Sequence, residues 1–356
     1  MGDAYPRVTV AAVQAASVFL DREASVAKAC RLIAEAGRQG ARIIGFPEGF
    51  IPGHPLWYHF HPATGPTSRR YATQLFKNAV VIPSEATEAL GDAARQAGAY
   101  VVMGVCEKVA GTVGTMYNSL VFFDPGGRIL GVHRKLTPTV GERLVHTGGS
   151  GASLRAYDTP YGKLSGLICG ENSNPLAVCA LAGEHTVLHV ASWPALPGRG
   201  MLPRSDRALM TGRAFAFMAK AFVLNVCGTV DDATRELLAY VDEDRPYLRD
   251  PSLTGGSSII APTSRVVAGP LGPEEGVLLA EVDTEECVHE RLIHDFAGHY
   301  NRPDIFQLTI RTDAPVLVRR VGLGPGEGEA ERGASPDGEP RGAPRGSRRS
   351  GAAPAE

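Results

Sequence analysis

Short apolar runs rich in β-branched residues recur through most of the chain, each closed by a turn, a helical stretch or a knot of polar residues. This punctuation constrains the fold more than anything else, because runs of about four to eight such residues read as buried strands. Strands are expected at 7–14, 42–46, 100–107, 116–123, 128–134, 164–169, 186–191, 221–227, 257–261, 265–268 and 276–282. Between the first two, Asp21 is placed to cap a helix on which Val26, Cys30, Ile33 and Ala36 recur at helical spacing until Gly40. Ser84 caps a second, running to Gln96, with Glu85 and Glu88 in its first turn and Gly98 beyond. Pro175 suits the first turn of a third, and 204–219 reads as a fourth. Asp124-Pro125-Gly126-Gly127 is a turn between two strands. Strands alternating with helices, mixed with hairpins and without internal repeat, specify a layered α/β domain.

The 356 residues, 44% hydrophobic and 21% charged, suffice to bury a full core. A net charge of -2 argues against a nonspecific grip on nucleic acid. No apolar run approaches the roughly 18 residues of a membrane span. The first residues lack a basic patch followed by an apolar stretch, so a cytoplasmic enzyme with no membrane association is expected. From about Gly322 the composition turns to Gly, Pro, Glu, Arg and Ala, with little to offset the entropy of ordering. The expected division is a catalytic domain over 1–320 and a disordered tail over 321–356.

The six cysteines form no C-x-x-C pair; Cys106 and Cys227 end apolar runs and are expected to be small buried hydrophobes. His54, His59 and His61 surround Trp57 and Tyr58 at no zinc-like spacing, which predicts a pocket wall or an interface rather than a metal site. Gly148, Gly149 and Gly151, like Gly255 and Gly256, lack the lysine of a phosphate loop and read as turns.

Three polar islands sit at expected strand ends, where α/β sheets carry their ligands and catalytic groups. They are Phe46-Pro47-Glu48-Gly49-Phe50-Ile51-Pro52-Gly53-His54-Pro55, His133-Arg134-Lys135-Leu136-Thr137-Pro138-Thr139 with Glu142 and Arg143 after it, and Gly166-Leu167-Ile168-Cys169-Gly170-Glu171-Asn172-Ser173-Asn174-Pro175. A thiol at a strand-to-helix junction is favoured as thiolate by the helix amides and by a nearby lysine. A carboxylate takes its proton and later returns it. Glu, Lys and Cys are therefore sufficient for attack on an electrophilic carbon bonded to nitrogen, with no metal or cofactor. No histidine carries a partner context for Cys169 that would favour a Cys–His enzyme.

These islands resemble, in order and separation, the glutamate, lysine and cysteine blocks of the nitrilase family. Asp295-Phe296-Ala297-Gly298-His299-Tyr300-Asn301-Arg302-Pro303-Asp304-Ile305-Phe306 is similar to the closing motif of nitrilases in the narrow sense. The resemblance spans roughly 7 to 310. It implies a four-layer α-β-β-α sandwich and self-association into a homo-oligomer, extended in some relatives to a spiral or filament. It also implies that Glu48 is general base, Lys135 cationic stabiliser, Cys169 nucleophile and Glu142 the second glutamate that positions the lysine or the substrate. The expected partners are a small-molecule nitrile and water, and the expected products a carboxylic acid and ammonia. Gly170, Glu171, His54, Trp57 and Tyr58 are candidates for binding the substrate. The same machinery also serves amidases, cyanide hydratases or dihydratases, and nitrile-to-amide hydration. Phe50-Ile51-Pro52-Gly53 and the Gly298–Asp304 motif favour a nitrilase. A nitrilase-fold binding or scaffold protein would lack a member of the triad, and none is missing. Departures from the family pattern are Gly170 in place of Trp, His54 in place of Tyr, Met218 in place of Glu, and Gly149-Ser150-Gly151-Ala152 in place of Gly-Asp-Gly-Ser; they bear on pocket shape.

Overall fold

A computed structural model describes residues 2–196, 200, 202–313 and 318. Of these, residues 2–313 belong to one compact unit. The tail expected to be disordered, 321–356, lies outside the described residues.

The chain opens with β1 (Arg7–Gln14), α1 (Arg22–Arg38), β2 (Ile43–Gly45), α2 (Pro66–Asn78) and α3 (Glu85–Ala97). It continues through β3 (Tyr100–Lys108), β4 (Met116–Phe123), β5 (Ile129–Arg134), β6 (Lys163–Ile168), α4 (Pro175–Gly183) and β7 (Thr186–Trp193). It closes with α5 (Arg204–Ala219), β8 (Phe222–Cys227), α6 (Asp232–Leu238), α7 (Asp244–Leu248), β9 (Ser258–Ile260), β10 (Val266–Ala268), β11 (Gly276–Asp283) and α8 (Glu285–Ile293). Asp21 does cap α1, accepting the Ala24 amide, and Gly98 ends α3 in the left-handed conformation.

The strands form a six-stranded sheet, ordered β11-β1-β2-β3-β4-β5, and a five-stranded sheet, ordered β10-β9-β8-β7-β6. The parallel cores are β1-β2-β3 in the first and β6-β7-β8 in the second. Side chains alternate along β1. Val8, Val10 and Ala12 join Leu164, Leu167, Leu188 and Val190 between the sheets. Ala11 and Val13 pack outward with Ala29, Ile33 and Ala36 of α1 and Leu90 and Ala94 of α3. A strand buried on both faces needs apolar residues at every position, which is why β1 reads as an unbroken run. On the far side, Ala177 and Leu181 of α4 and Ala208, Phe215 and Ala216 of α5 cover the second sheet. The result is the four-layer α-β-β-α sandwich.

A third cluster joins Leu56 and Trp57 to Tyr71 and Leu75 of α2, Leu238 of α6 and Leu248 of α7. Helix α2 has a weak signature: it starts at Pro66 without a side-chain cap and buries only Ser68, Tyr71 and Leu75. Among the described residues, no helix is long and apolar enough to cross a membrane.

Candidate active site

Glu48 stands just past the end of β2. The Phe46 amide still donates to Val102 O (2.9 Å), and Ile51 N then donates to Gly104 O (3.2 Å), so the Glu48 loop runs alongside β3. The approach is close: a Cβ on Gly104 would lie 2.0 Å from Pro47 O, which only glycine avoids. The loop is also stitched to the other sheet. Glu48 N donates to Trp193 O (3.2 Å), and Ser192 Oγ to Phe46 O (2.9 Å). The end of β2 and the end of β7 are thereby fixed to each other.

Lys135 follows β5, its amide donating to Asn118 O at 2.8 Å. Its side chain is buried, and Nζ lies 2.8 Å from Glu48 Oε1 and 2.5 Å from Glu142 Oε2. A 3-10 turn, Val140–Leu144, supplies Glu142, whose Oε2 also accepts the Thr139 amide at 2.9 Å. Asn118, in the middle of β4, donates through Nδ2 to Glu48 Oε1 (2.7 Å) and to Glu142 Oε1 (2.9 Å). Sequence reasoning missed this residue; its signal was one amide in an otherwise inward-facing apolar strand.

The two carboxylates are unequal. Burial raises Glu48 above the usual carboxylate value, an effect that Lys135 only partly opposes and Glu142 reinforces. Burial acts the same way on Glu142, but the adjacent His146 and Lys135 outweigh it and hold that carboxyl below the usual range. The His146 Nδ1 atom is 3.4 Å from Glu142 Oε1, an electrostatic contact without hydrogen-bond alignment. Lys135 loses charge stabilisation to burial, yet Glu48, Cys169 and Glu142 keep it above its ordinary value. Two carboxylates around one ammonium thus differ in their hold on a proton, Glu48 the tighter and Glu142 the weaker.

Cys169 differs in part from expectation. Strand β6 ends at Ile168, and a 3-10 turn, Cys169–Ser173, follows before α4 begins at Pro175. The first turn of α4 is capped by Asn174, which accepts the Leu176 amide, so no α-helix dipole starts at the thiol. Cys169 itself has φ 53°, a left-handed conformation costly for a side-chain-bearing residue and typical of over-determined functional positions. Asn172 Nδ2 holds it by donating to Leu167 O (3.2 Å) and Cys169 O (3.0 Å), with Asn172 Oδ1 on His189 Nε2 at 2.8 Å. Burial, and next the Glu48 charge, push the thiol up to about 11 against Lys135 and Arg204. Burial thus outweighs the nearby lysine, and the expected help from a helix start at the thiol is absent.

Glu171, a candidate for binding substrate, is committed elsewhere. Its Oε1 accepts the Leu136 amide (2.6 Å), while Oε2 accepts the Ile168 amide (2.9 Å) and meets His133 Nε2 at 3.0 Å. One buried carboxylate therefore ties the residue after Lys135 to the residue before Cys169. Trp57 is fully buried, its ring centroid 6.1 Å from Phe19, 5.1 Å from Tyr58 and 5.7 Å from Tyr71, so it packs as core instead of lining a pocket. Tyr58 is half-buried and abuts Gly141, where a Cβ would sit 2.6 Å from its own Cβ, beside the Glu142 turn. His54 does join the cluster: Nδ1 is 3.5 Å from Glu48 Oε1, and burial holds the ring neutral, well below its usual value. Gly170 faces open space, with nothing within 4 Å of a built Cβ. Beside Glu48 and His54 lies a cavity of about 20 Å³, room for a single water, bounded also by Phe50, Ala195 and Thr229. Donor atoms of Glu48, His54 and Glu142 lie within 4.8 Å of one another, but the Lys135 ammonium already stands between the two carboxylates. Cys106 and Cys227 are fully buried, as expected.

A sandwich of two sheets that brings Glu, Lys and Cys together at its strand ends defines a class. The chain belongs to the carbon–nitrogen hydrolase family, whose description fits residues 9–290, and within it to the nitrilase branch. It is 38% identical over 329 residues to Nitrilase 2 of an unknown prokaryotic organism, covering 90% of this chain and 98% of that one. It is 34% identical over 320 residues to a nitrilase of Bacillus sp. (strain OxB-1), covering 89% and 92%. Among solved structures, the C. elegans NitFhit protein superposes with a TM-score of 0.66 at 18% identity, covering 88% of this chain and 70% of that one. Nit3 of Saccharomyces cerevisiae, a member of branch 10 of the nitrilase superfamily, gives 0.63 at 19%, covering 83% and 99%. These two likenesses speak for the fold.

Proposed function

We propose that this protein is a nitrilase, converting an organic nitrile and two waters to a carboxylic acid and ammonia, with Cys169 as nucleophile, Glu48 as general base, Lys135 as cationic stabiliser and Glu142 as the anion that holds Lys135. The observation that carries the reading is the buried Lys135 ammonium held at 2.8 Å by Glu48 and 2.5 Å by Glu142, in a site whose buried Cys169 thiol is pushed up to about 11. Glu48 takes the Cys169 proton as sulfur adds to the nitrile carbon, and that proton passes to nitrogen, giving a covalent thioimidate. Lys135 and the Gly170 amide oppose the negative charge that develops on the substrate. Water gives a proton to Glu48 and adds to carbon; the C–N bond then breaks and ammonia leaves a thioester. A second water repeats the attack, the C–S bond breaks, and the acid departs as the thiol regains its proton.

The sequence-defined domain of 1–320 carries this chemistry in our reading, with 321–356 outside it. We assign the enzyme to the cytoplasm and to homo-oligomers. The exposed Met210, Phe217 and Met218 of α5 and Leu292 and Ile293 of α8 support self-association.

The test is ammonia release from aliphatic, aryl and arylacetonitriles and their amides, with organic products identified by mass. Acid and ammonia from nitriles, absent in a folded Cys169→Ala variant, are expected. Turnover near wild type in that variant, or activity on amides alone, overturns the assignment.

A further inference from the structure

Two fully buried cations flank the nucleophile, and they are treated oppositely. Lys135 is gripped by Glu48 and Glu142. Arg204 is only 1% exposed, yet its Nε and Nη1 are buried without a hydrogen-bond partner, and among the described residues no carboxylate pairs with it. Its guanidinium carbon lies 5.7 Å from the Trp193 ring centroid, a cation–π approach. That offsets only part of the cost of removing a charge from water.

The location is specific. Arg204 is the first residue of α5, a helix that packs against the Cys169–Ser173 turn. Trp193 closes β7, and its carbonyl receives the Glu48 amide. The Arg204 charge acts on both Cys169 and His59. The cation therefore stands by the end of β7, on the helix that packs against the nucleophile's turn. Serving the thiol does not account for it, since Cys169 stays well above the ordinary thiol value in its presence. A guanidinium is best matched by the planar fork of a carboxylate, and the site's own carboxylates are taken by Lys135.

We propose that Arg204 receives a carboxylate carried by the substrate, so that the preferred nitriles are cyano acids. The inference rests on the nitrilase reading above and narrows its substrate class.

The test compares terminal cyanopropanoate, cyanobutanoate and cyanopentanoate with their methyl esters, using the full chain. One chain length is expected to show kcat/KM at least about 100-fold above its ester, the scale of a desolvated charge pair. Arg204→Met is expected to lower kcat/KM for that acid about 100-fold more than for the ester, and Arg204→Lys to recover part of the difference. Binding is read separately in Cys169→Ala: the acid raises Tm where the ester does not, and the rise vanishes in Cys169→Ala/Arg204→Met. If Arg204→Met fails to fold, the acid-against-ester comparison in Cys169→Ala decides alone. Equal kcat/KM for acid and ester, or equal losses for both in Arg204→Met, overturns the inference while leaving the nitrilase assignment standing. No ammonia from any nitrile sinks both.

Discussion

The two carboxylate networks around Cys169 look alike on paper and differ in what they hold. In one, Glu48 and Glu142 share Lys135 and Asn118, and every contact but the Thr139 amide is with a side chain. In the other, Glu171 accepts two main-chain amides and meets one histidine, whose Nδ1 reaches Ser153 Oγ at 3.0 Å. The first network gathers two buried carboxylates around one ammonium and one amide. The second fixes the distance between two strand ends belonging to different sheets. A Glu in a polar island is therefore not by itself a catalytic Glu; what its oxygens accept decides the matter.

Isosteric substitution breaks the comparison most directly. Glu48→Gln removes the base and is expected to cut kcat/KM by about a thousandfold or more, with Tm little changed. Glu171→Gln keeps one acceptor but loses the charge; it is expected to lower Tm by several degrees and kcat by about ten- to a hundredfold, with KM nearly constant. Equal losses of activity with no change in Tm for Glu171→Gln would erase the distinction.

The pH profile sharpens it. Glu48 accepts a proton only when ionised, so kcat/KM falls as pH drops through its folded pKa. Burial places that midpoint above the ordinary 4.5. No further rise is expected near the usual thiol value of about 8.5, because Cys169 is pushed up to about 11. Glu171→Gln should leave the midpoint in place, as it touches no proton in flight. A midpoint that moves with Glu171 would merge the two networks. The smallest effect belongs to Gly170, next to both: with open space around it, Gly170→Trp is expected to change stability by less than about 1 kcal/mol while reordering preference among nitriles in the ammonia assay.

Much of this was legible in sequence. Strands β1 and β4 and helix α5 have the bounds that their apolar residues and flanking turns predicted; in the two strands, burial on both faces leaves short, mostly apolar runs bounded by turns. Glu48, Lys135 and Cys169 were found through the polar islands at strand ends. Helices α2, α6, α7 and α8 were not found: α2 lacks a side-chain cap, α6 and α7 are short, α8 buries only Cys287, and the cap of α6, Asp231, drew no notice. Asn118 and the tether through Glu171 were out of reach for another reason. Both depend on which atoms meet across sequence separations of 24 to 70 residues, and no local pattern records that. Trp57 was misread because an aromatic among histidines gives no sign of which side of the loop it faces.

The contact between Gly104 and Pro47 bears on how a mutational map of this protein would read. In a saturation library selected on turnover, position 104 is expected to be as intolerant as position 48, though it has no functional group to offer. Any methyl group there pushes the Pro47 carbonyl and drags Glu48 out of line. A heat map of such a library would outline the cradle of the glutamate as darkly as the glutamate, and only the separation of folded, inactive variants from unfolded ones would tell scaffold from chemistry.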